Sequence, residues 1–451
     1  MDAAVLDRRT RTHTECVPPV LVERLLALGH ADVVRAQALA GDGDWFCARA
    51  WARRLDRQGD TRGALAVLAP YVGTGWYTAA EEAARLLEAV GRAEEAVGVL
   101  RPFARDGERS AVRALARLLA RRGRGEEAYA LLLPHIDDWY LAETLADVAA
   151  GLGRGDEMAT LLAERIAADR TCTRCGGPDC PRLPEPSNAV ALLASLRERQ
   201  GRPDEALEVL YTYGSAPVND HDPLAELLVR LGRIDELRTY AADGEHPSAV
   251  RRLAGFLEEQ GDVPGAVEVY RPHLERDLGH PRILLAQLLA RHGRGDEAIE
   301  VLRARETDDD CTLDQLCGLF AAEGRAEEGL AHLDALKERR GREEWELFRL
   351  RGPLMAACGR LDEAAAQARA HPEGGTPYAV ESLAVLLADS GRLKDAVALL
   401  ETAPLEHRHT LAPLLVEVGR IDEAVALLRL PLPPAPSTWG AGSDYSDCPP
   451  F

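Results

Sequence analysis

A six-residue phrase that begins on glycine recurs along the 451 residues, and it restricts this chain to a repeat architecture more severely than any other feature. Strong copies are Gly91-Arg-Ala-Glu-Glu-Ala96, Gly123-Arg-Gly-Glu-Glu-Ala128, Gly201-Arg-Pro-Asp-Glu-Ala206, Gly293-Arg-Gly-Asp-Glu-Ala298, Gly359-Arg-Leu-Asp-Glu-Ala364 and Gly419-Arg-Ile-Asp-Glu-Ala424. Weaker copies start at Gly29, Gly59, Gly153, Gly232, Gly261, Gly324 and Gly391, which makes thirteen markers, most of them 28 to 35 residues apart.

Each part of the phrase has a mechanical reason. Glycine ends a helix where the backbone turns left-handed, because it has no Cβ to clash. The acids at +3 and +4 fall in the first turn of the next helix, where the helix dipole favours negative charge. Alanine at +5 lets a neighbouring helix come close. Upstream, Leu115, Leu193, Leu285 and Leu383 stand at −8, and Ala52, Ala84, Ala116, Ala194, Ala225, Ala254, Ala286 and Ala384 at −7. Downstream, Leu68, Leu100, Leu132, Leu162, Leu210, Leu302, Leu400 and Leu428 stand at +9. These spacings predict two helices per repeat, each with one apolar stripe, joined by a tight turn. Neither helix can bury its stripe alone, so stacked hairpins must share a continuous core.

From about Val17 to Leu430 the pattern resembles the tetratricopeptide repeat (TPR). The phrase is also similar to that of the Gly-Arg-x-Asp-Glu-Ala repeat proteins of GC-rich bacteria. The resemblance implies an all-α fold, an α-solenoid of about thirteen TPR-like helix hairpins forming a superhelix. Two departures stand out. The spacing is nearer 32 than the family's 34, and Pro70, Pro102, Pro134 and Pro272 stand at +11, where proline is expected to stop or kink the second helix.

Composition narrows the function. Only 5% of residues are aromatic, in keeping with helices packed through Ala and Leu. Lysine occurs only at Lys337 and Lys394, a compositional bias to which no functional weight attaches. The net charge of −20 argues against nonspecific binding to nucleic acid or to an anionic membrane. Residues 1–150 hold 20 Lys+Arg against 22 Asp+Glu, so nearly all the net negative charge lies beyond them. The first 16 residues lack the apolar stretch of a signal peptide, and no later segment has the apolar length of a membrane span. With nine scattered cysteines, the expected location is cytoplasmic. No phosphate-binding loop, zinc-protease helix, nucleophile elbow or dinucleotide fingerprint is present, so the chain does not read as an enzyme. The run Asp308-Asp309-Asp310 reads as a helix cap rather than a cation site.

The remaining reading is a scaffold or adaptor that holds a protein or peptide; the alternative is a regulator whose superhelical pitch responds to a bound ligand. In TPR superhelices the first helices line the concave surface, so the resemblance places the binding face on their outward positions. Arg49, Arg53 and Arg57, then Arg85, then Arg113, Arg117 and Arg121 occupy those positions in successive hairpins. Guanidinium groups suit carboxylates and phosphates. The expected partner therefore carries an acidic segment or is a small anion, docked across hairpins two to four. Acidic neighbours such as Asp56, Glu81 and Glu88 leave open a second reading, a self-neutralised surface. Trp45, Trp76, Trp139 and Trp345 stand near the starts of first helices, two of them directly after Asp44 and Asp138 as N-caps. Packing staples and a ligand-stacking row are both open readings for them.

The pattern divides the chain into a disordered arm (1–16), an N-terminal array (17–167), an inserted loop (168–187), a C-terminal array (188–430) and a Pro-rich disordered tail (431–451). The tail reads as a solubilising extension, a ligand for a partner, or a segment that folds back into the chain's own groove. The loop contains Cys172-Thr-Arg-Cys175 and Cys180, a turn that suits convergence of thiolates on a structural zinc ion. Asp179, His135 and His221 compete as fourth ligand, and free thiols or a redox pair are the alternatives. Protein purified without chelator is expected to carry close to one equivalent of zinc. Metal analysis that finds less than about 0.2 equivalents retires the site.

Overall fold

The computed structural model describes residues 2–40, 43–167, 186–214, 221–243, 245–275, 280–304, 309–341 and 344–431. Among them are 28 α-helices and two short 3-10 helices, with no β-strand. After an initial helix Ala3–Thr12, the helices alternate as thirteen hairpins, an all-α solenoid.

The marker glycines set the hairpins. All thirteen have φ between +70° and +92°. After helix Arg109–Arg121, the Gly123 N–H bonds the Ala120 carbonyl at 3.1 Å and the Arg124 N–H bonds that of Leu119 at 2.9 Å, which closes the helix on its own last carbonyls. The same pair of bonds recurs at Gly91, Gly261 and Gly419. The stripes meet as their spacing requires. Ala52, Ala116, Ala225 and Ala384 at −7, and Leu68, Leu132 and Leu400 at +9, have no exposed surface. Ala96, Ala128, Ala206, Ala298 and Ala424 at +5 are equally buried.

Proline at +11 acts in two ways. Helices Thr61–Val72 and Ala93–Arg105 continue through Pro70 and Pro102, whereas Pro134 and Pro272 lie in the 3-10 helices Leu133–His135 and Arg271–His273. So late in a helix, the missing N–H costs one bond and the chain tightens or ends within a turn.

Two compact units emerge, one from residues 1–86 with 365–451, the other from 87–364. In the first, the expected disordered arm is corrected: residues Ala3–Thr12 are helical, Leu6 is buried, and His13 meets the Phe46 ring edge-on at 5.5 Å. The buried Asp44 carboxylate accepts N–H bonds from Val17 (2.6 Å) and Cys47 (3.0 Å), so it caps helix Trp45–Arg57 and anchors the chain before it. The first and last hairpins join. Arg24 forks onto Glu417 at 2.6 and 2.9 Å and Arg429 donates to Gln37 at 3.1 Å; within the last hairpin the buried Arg408 donates to the Leu430 carbonyl at 2.9 Å. In the second unit the hairpins flanking the 168–187 insertion stack directly, with Arg197 and Arg202 both 3.1 Å from Asp156. The insertion is therefore not a unit boundary.

Gly91 and Gly98 both have open space where a Cβ would stand, but only Gly91 has positive φ. Gly91→Ala is expected to destabilise by about 1–2 kcal/mol, and Gly98→Ala in helix Ala93–Arg105 to stabilise by about 0.5–1 kcal/mol. Urea denaturation of the two variants checks the pair, and equal signs would contradict the turn assignment.

Candidate functional site

Four of the seven expected arginines line one cavity in the first unit. First helices Pro19–Ala27 and Trp45–Arg57 and residue Arg85 surround about 530 Å³. Its apolar wall is Val22, Leu26 and Phe46; its polar wall is Arg49, Arg53, Arg57 and Arg85 with Glu23 and Asp56.

The four guanidiniums are not equivalent. Arg53 forks onto Glu82 with both bonds at 2.8 Å, and Arg85 reaches the same carboxylate at 2.8 Å. Glu82 is only 7% exposed. Burial pushes its carboxyl upward, but hydrogen bonds from Arg53 and Arg85 outweigh this and hold it below the usual glutamate range. Arg49 and Arg57 differ. Among the described residues Arg57 donates only to the Arg53 carbonyl at 3.3 Å, and the Arg49 guanidinium lies 5.7 Å from the Phe46 ring centroid with no carboxylate hydrogen-bonded to it. Burial and repulsion from Arg53 lower the Arg49 pKa, an effect that Glu82 and Glu23 offset only in part.

The other three arginines belong to the second unit, on helix Arg109–Arg121. Arg121 forks onto Glu88 at 2.8 and 2.7 Å, and Arg113 sits 4.3 Å from the Tyr140 ring centroid and 3.6 Å from Glu143. Arg117 is exposed, with no ion pair among the described residues. Arg230–Glu198 and Arg291–Glu258 repeat the Arg121–Glu88 tie at the same offsets. Arg121 thus fastens one hairpin to the one before it.

The arginine inside the marker phrase has a role that spacing did not reveal. Its guanidinium clamps the +4 acid of its own helix, as in Arg124–Glu127, Arg154–Glu157, Arg325–Glu328 and Arg420–Glu423. It also reaches back to the +3 acid of the preceding hairpin, as in Arg124–Glu94 (3.2 Å), Arg154–Glu126 (3.1 Å), Arg233–Asp204 (3.3 Å) and Arg325–Asp296 (2.6 Å). In these repeats the phrase is stitched to the one before it. The fixed Gly-Arg-x-acid-acid order was the available signal.

In the second unit the first helices of four successive hairpins enclose about 600 Å³. Ile283 and Leu284 form its apolar floor, the Gln287 and Gln315 amides bond across it at 3.0 Å, and Arg251, Arg349, Asp310 and Asp314 edge it. Asp309 caps helix Asp310–Ala322 through the Thr312 N–H at 3.1 Å. Trp45, Trp76 and Trp345 are buried, Trp45 meeting Trp76 edge-on at 4.9 Å, while Trp139 is exposed. Cys172, Cys175 and Cys180 lie outside the described residues, among which no group of three His, Cys, Asp or Glu side chains could hold a metal. No helix among the described residues is long and apolar enough to cross a membrane.

The tetratricopeptide repeat family model matches residues 110–134, 279–304 and 377–402. Each match spans a first helix, its marker glycine and the following helix. Comparison with curated proteins returns no match. Among solved structures the chain is similar to yeast Tom70 (14% identity, 84% of this chain and 90% of that one, TM-score 0.33). It is also similar to Naa15/Naa10 bound to HypK-THB (14%, 94% and 67%, TM-score 0.31) and to the APC/C hetero-tetramer Cut9-Hcn1 (14%, 87% and 93%, TM-score 0.25). At these TM-scores the superpositions support no argument about path or function.

Glu82 generates a pH prediction. Its folded pKa is lowered, so its stabilising contribution is present above the unfolded value of about 4.3 and is lost as pH falls through the folded value. Glu82→Gln is expected to cost about 1–3 kcal/mol at pH 7 and to make stability less sensitive to acidification below about pH 4. Urea midpoints at pH 7 and pH 3.5 check this; a variant as acid-sensitive as wild type would refute it.

Proposed function

We propose that this tetratricopeptide-like repeat protein is a scaffold or adaptor that holds an acidic segment of a protein partner in the Arg49/Arg57 pocket. The observation that carries this reading is the pairing asymmetry within the cavity. Arg53 and Arg85 are committed to Glu82, while Arg49 and Arg57 line the same space with no hydrogen-bonded carboxylate among the described residues. Beside them Phe46, Val22 and Leu26 offer an apolar surface for the partner's side chains. Phosphate and carboxylate groups both fit two such forks, and a carboxylate-bearing peptide also uses the apolar wall. No enzymatic role is proposed, and a cytoplasmic setting and a structural zinc in the 168–187 loop complete the reading. The five described cysteines, Cys16, Cys47, Cys311, Cys317 and Cys358, are free thiols.

The second cavity favours a second reading, a regulator that responds to a small ligand. A volume of about 600 Å³ with an apolar floor and a few convergent polar groups is of ligand size. A small molecule that binds it tightly would raise the melting temperature by linkage, whereas a peptide scaffold need not respond.

A fluorescent peptide alternating Glu with Leu is the direct probe. It is expected to bind wild type and to lose at least about 10-fold in affinity with Arg49→Glu combined with Arg57→Glu, and to weaken steeply with salt. These two positions are preferable to Arg53 and Arg85, whose loss strips Glu82 of its partners. Equal affinity for wild type and variant, or equal binding of a Lys/Leu peptide, would remove the assignment.

A further inference from the structure

One segment of the chain itself has the chemistry the pocket calls for. Residues 432–451 contain Asp444 and Asp447, the aromatics Trp439, Tyr445 and Phe451, and no Lys, Arg or His. We propose that this acidic, aromatic segment docks in cis into the Arg49/Arg57 pocket and competes there with the partner, an inference that rests on the reading of that pocket as an anion site.

The point of departure fits. Residues 365–431 share a compact unit with residues 2–86, and the last described helix, Ile421–Arg429, touches the first hairpin through Arg429 and Gln37. That hairpin supplies Pro19, Val22, Glu23 and Leu26 to the pocket. From Pro431 to Asp444 an extended chain reaches about 40–45 Å, several times the roughly 10–12 Å width of a helix. Tethering over so few residues gives an effective concentration of the order of millimolar. Even a weak match is then occupied.

Two further observations mark the exit as unfinished. Arg408 is 1% exposed; its Nη1 holds the Leu430 carbonyl, and its buried Nη2 has no acceptor among the described residues. Buried donors of this kind are nearly always satisfied, and backbone carbonyls of a segment docked beside the first hairpin would satisfy this one. The first hairpin also exposes Val20 (79%), Leu28 (40%) and Leu39 (56%), and Leu430 beside it is 45% exposed. Trp439, Tyr445 and Phe451 are suited to cover such surface. Within the pocket the acids Glu23 and Asp56 oppose docking; with Glu82, which Arg53 and Arg85 share, four arginines face three carboxylates, an excess of one positive charge.

Chymotrypsin cleavage after Trp439 and Tyr445 in the full chain reads the contact, with the free synthetic 432–451 peptide as the unprotected reference. Wild type is expected to be cut at least 10-fold more slowly than the peptide. Arg49→Glu with Arg57→Glu, and separately Asp444→Arg with Asp447→Arg, should each restore the peptide's rate. The four changes together should regain protection, a rescue that misfolding cannot produce. Cleavage of wild type at the peptide's rate, or protection that survives both charge reversals, overturns the proposal. So does protection that rises with protein concentration, because a second copy would then donate the segment. The Glu/Leu probe separates the two readings. Binding of the probe through Arg49 and Arg57 without protection of the segment removes only the cis contact. Arg-dependent protection, with no probe binding even to the Asp444→Arg, Asp447→Arg chain, supports the cis contact and removes the partner reading.

Discussion

A helix of eight to thirteen residues with one apolar stripe is not stable by itself, and the whole molecule depends on how that deficit is met. Here each first helix turns back at a left-handed glycine, lays its stripe on its hairpin partner, and leaves the outer edge of that stripe for the next hairpin. The alanines at −7 and +5 set the close approach; a larger side chain at Ala128 or Ala298, both without exposed surface, would have nowhere to go. Stability is then distributed along the array, and no single hairpin is a domain.

Most of the fold was legible because it is set by short-range chemistry that repeats. Glycine at the turn, leucine at −8 and +9 and alanine at −7 and +5 fixed the helices, their faces and their number. What escaped depended on distance in space. Spacing assigned the marker-phrase arginine no role, yet Arg124, Arg154 and Arg325 each fork between their own helix and the preceding hairpin. The helix at Ala3–Thr12 escaped because it lacks the repeat's stripe and is held by tertiary contacts, with Leu6 buried and His13 against Phe46 of helix Trp45–Arg57. The +11 prolines could not be read individually, since the outcome turns on whether the helix still has a turn to complete.

The candidate site was legible to the same limited degree. Outward offsets selected seven arginines, and the structure brings Arg49, Arg53, Arg57 and Arg85 to one cavity. The offsets could not tell a guanidinium that binds from one that fastens. That distinction depends on Glu82 and Glu88, acids from an adjoining helix whose reach no linear pattern encodes. An arginine with both prongs on a buried carboxylate is part of the wall, whereas one stacked on an aromatic ring keeps its donors for a guest.

The joining of residues 1–86 with 365–451 has a consequence for biosynthesis. The first hairpin meets the last one through Arg24–Glu417 and Gln37–Arg429, and the stretch 87–364 is translated between the two. At roughly 5–20 residues per second, the opening segment waits some tens of seconds on the ribosome with apolar surface uncovered. The intervening stretch can meanwhile complete its own core. The nascent amino-terminal part is thus the portion of this protein with the greatest need of a chaperone while it is being made.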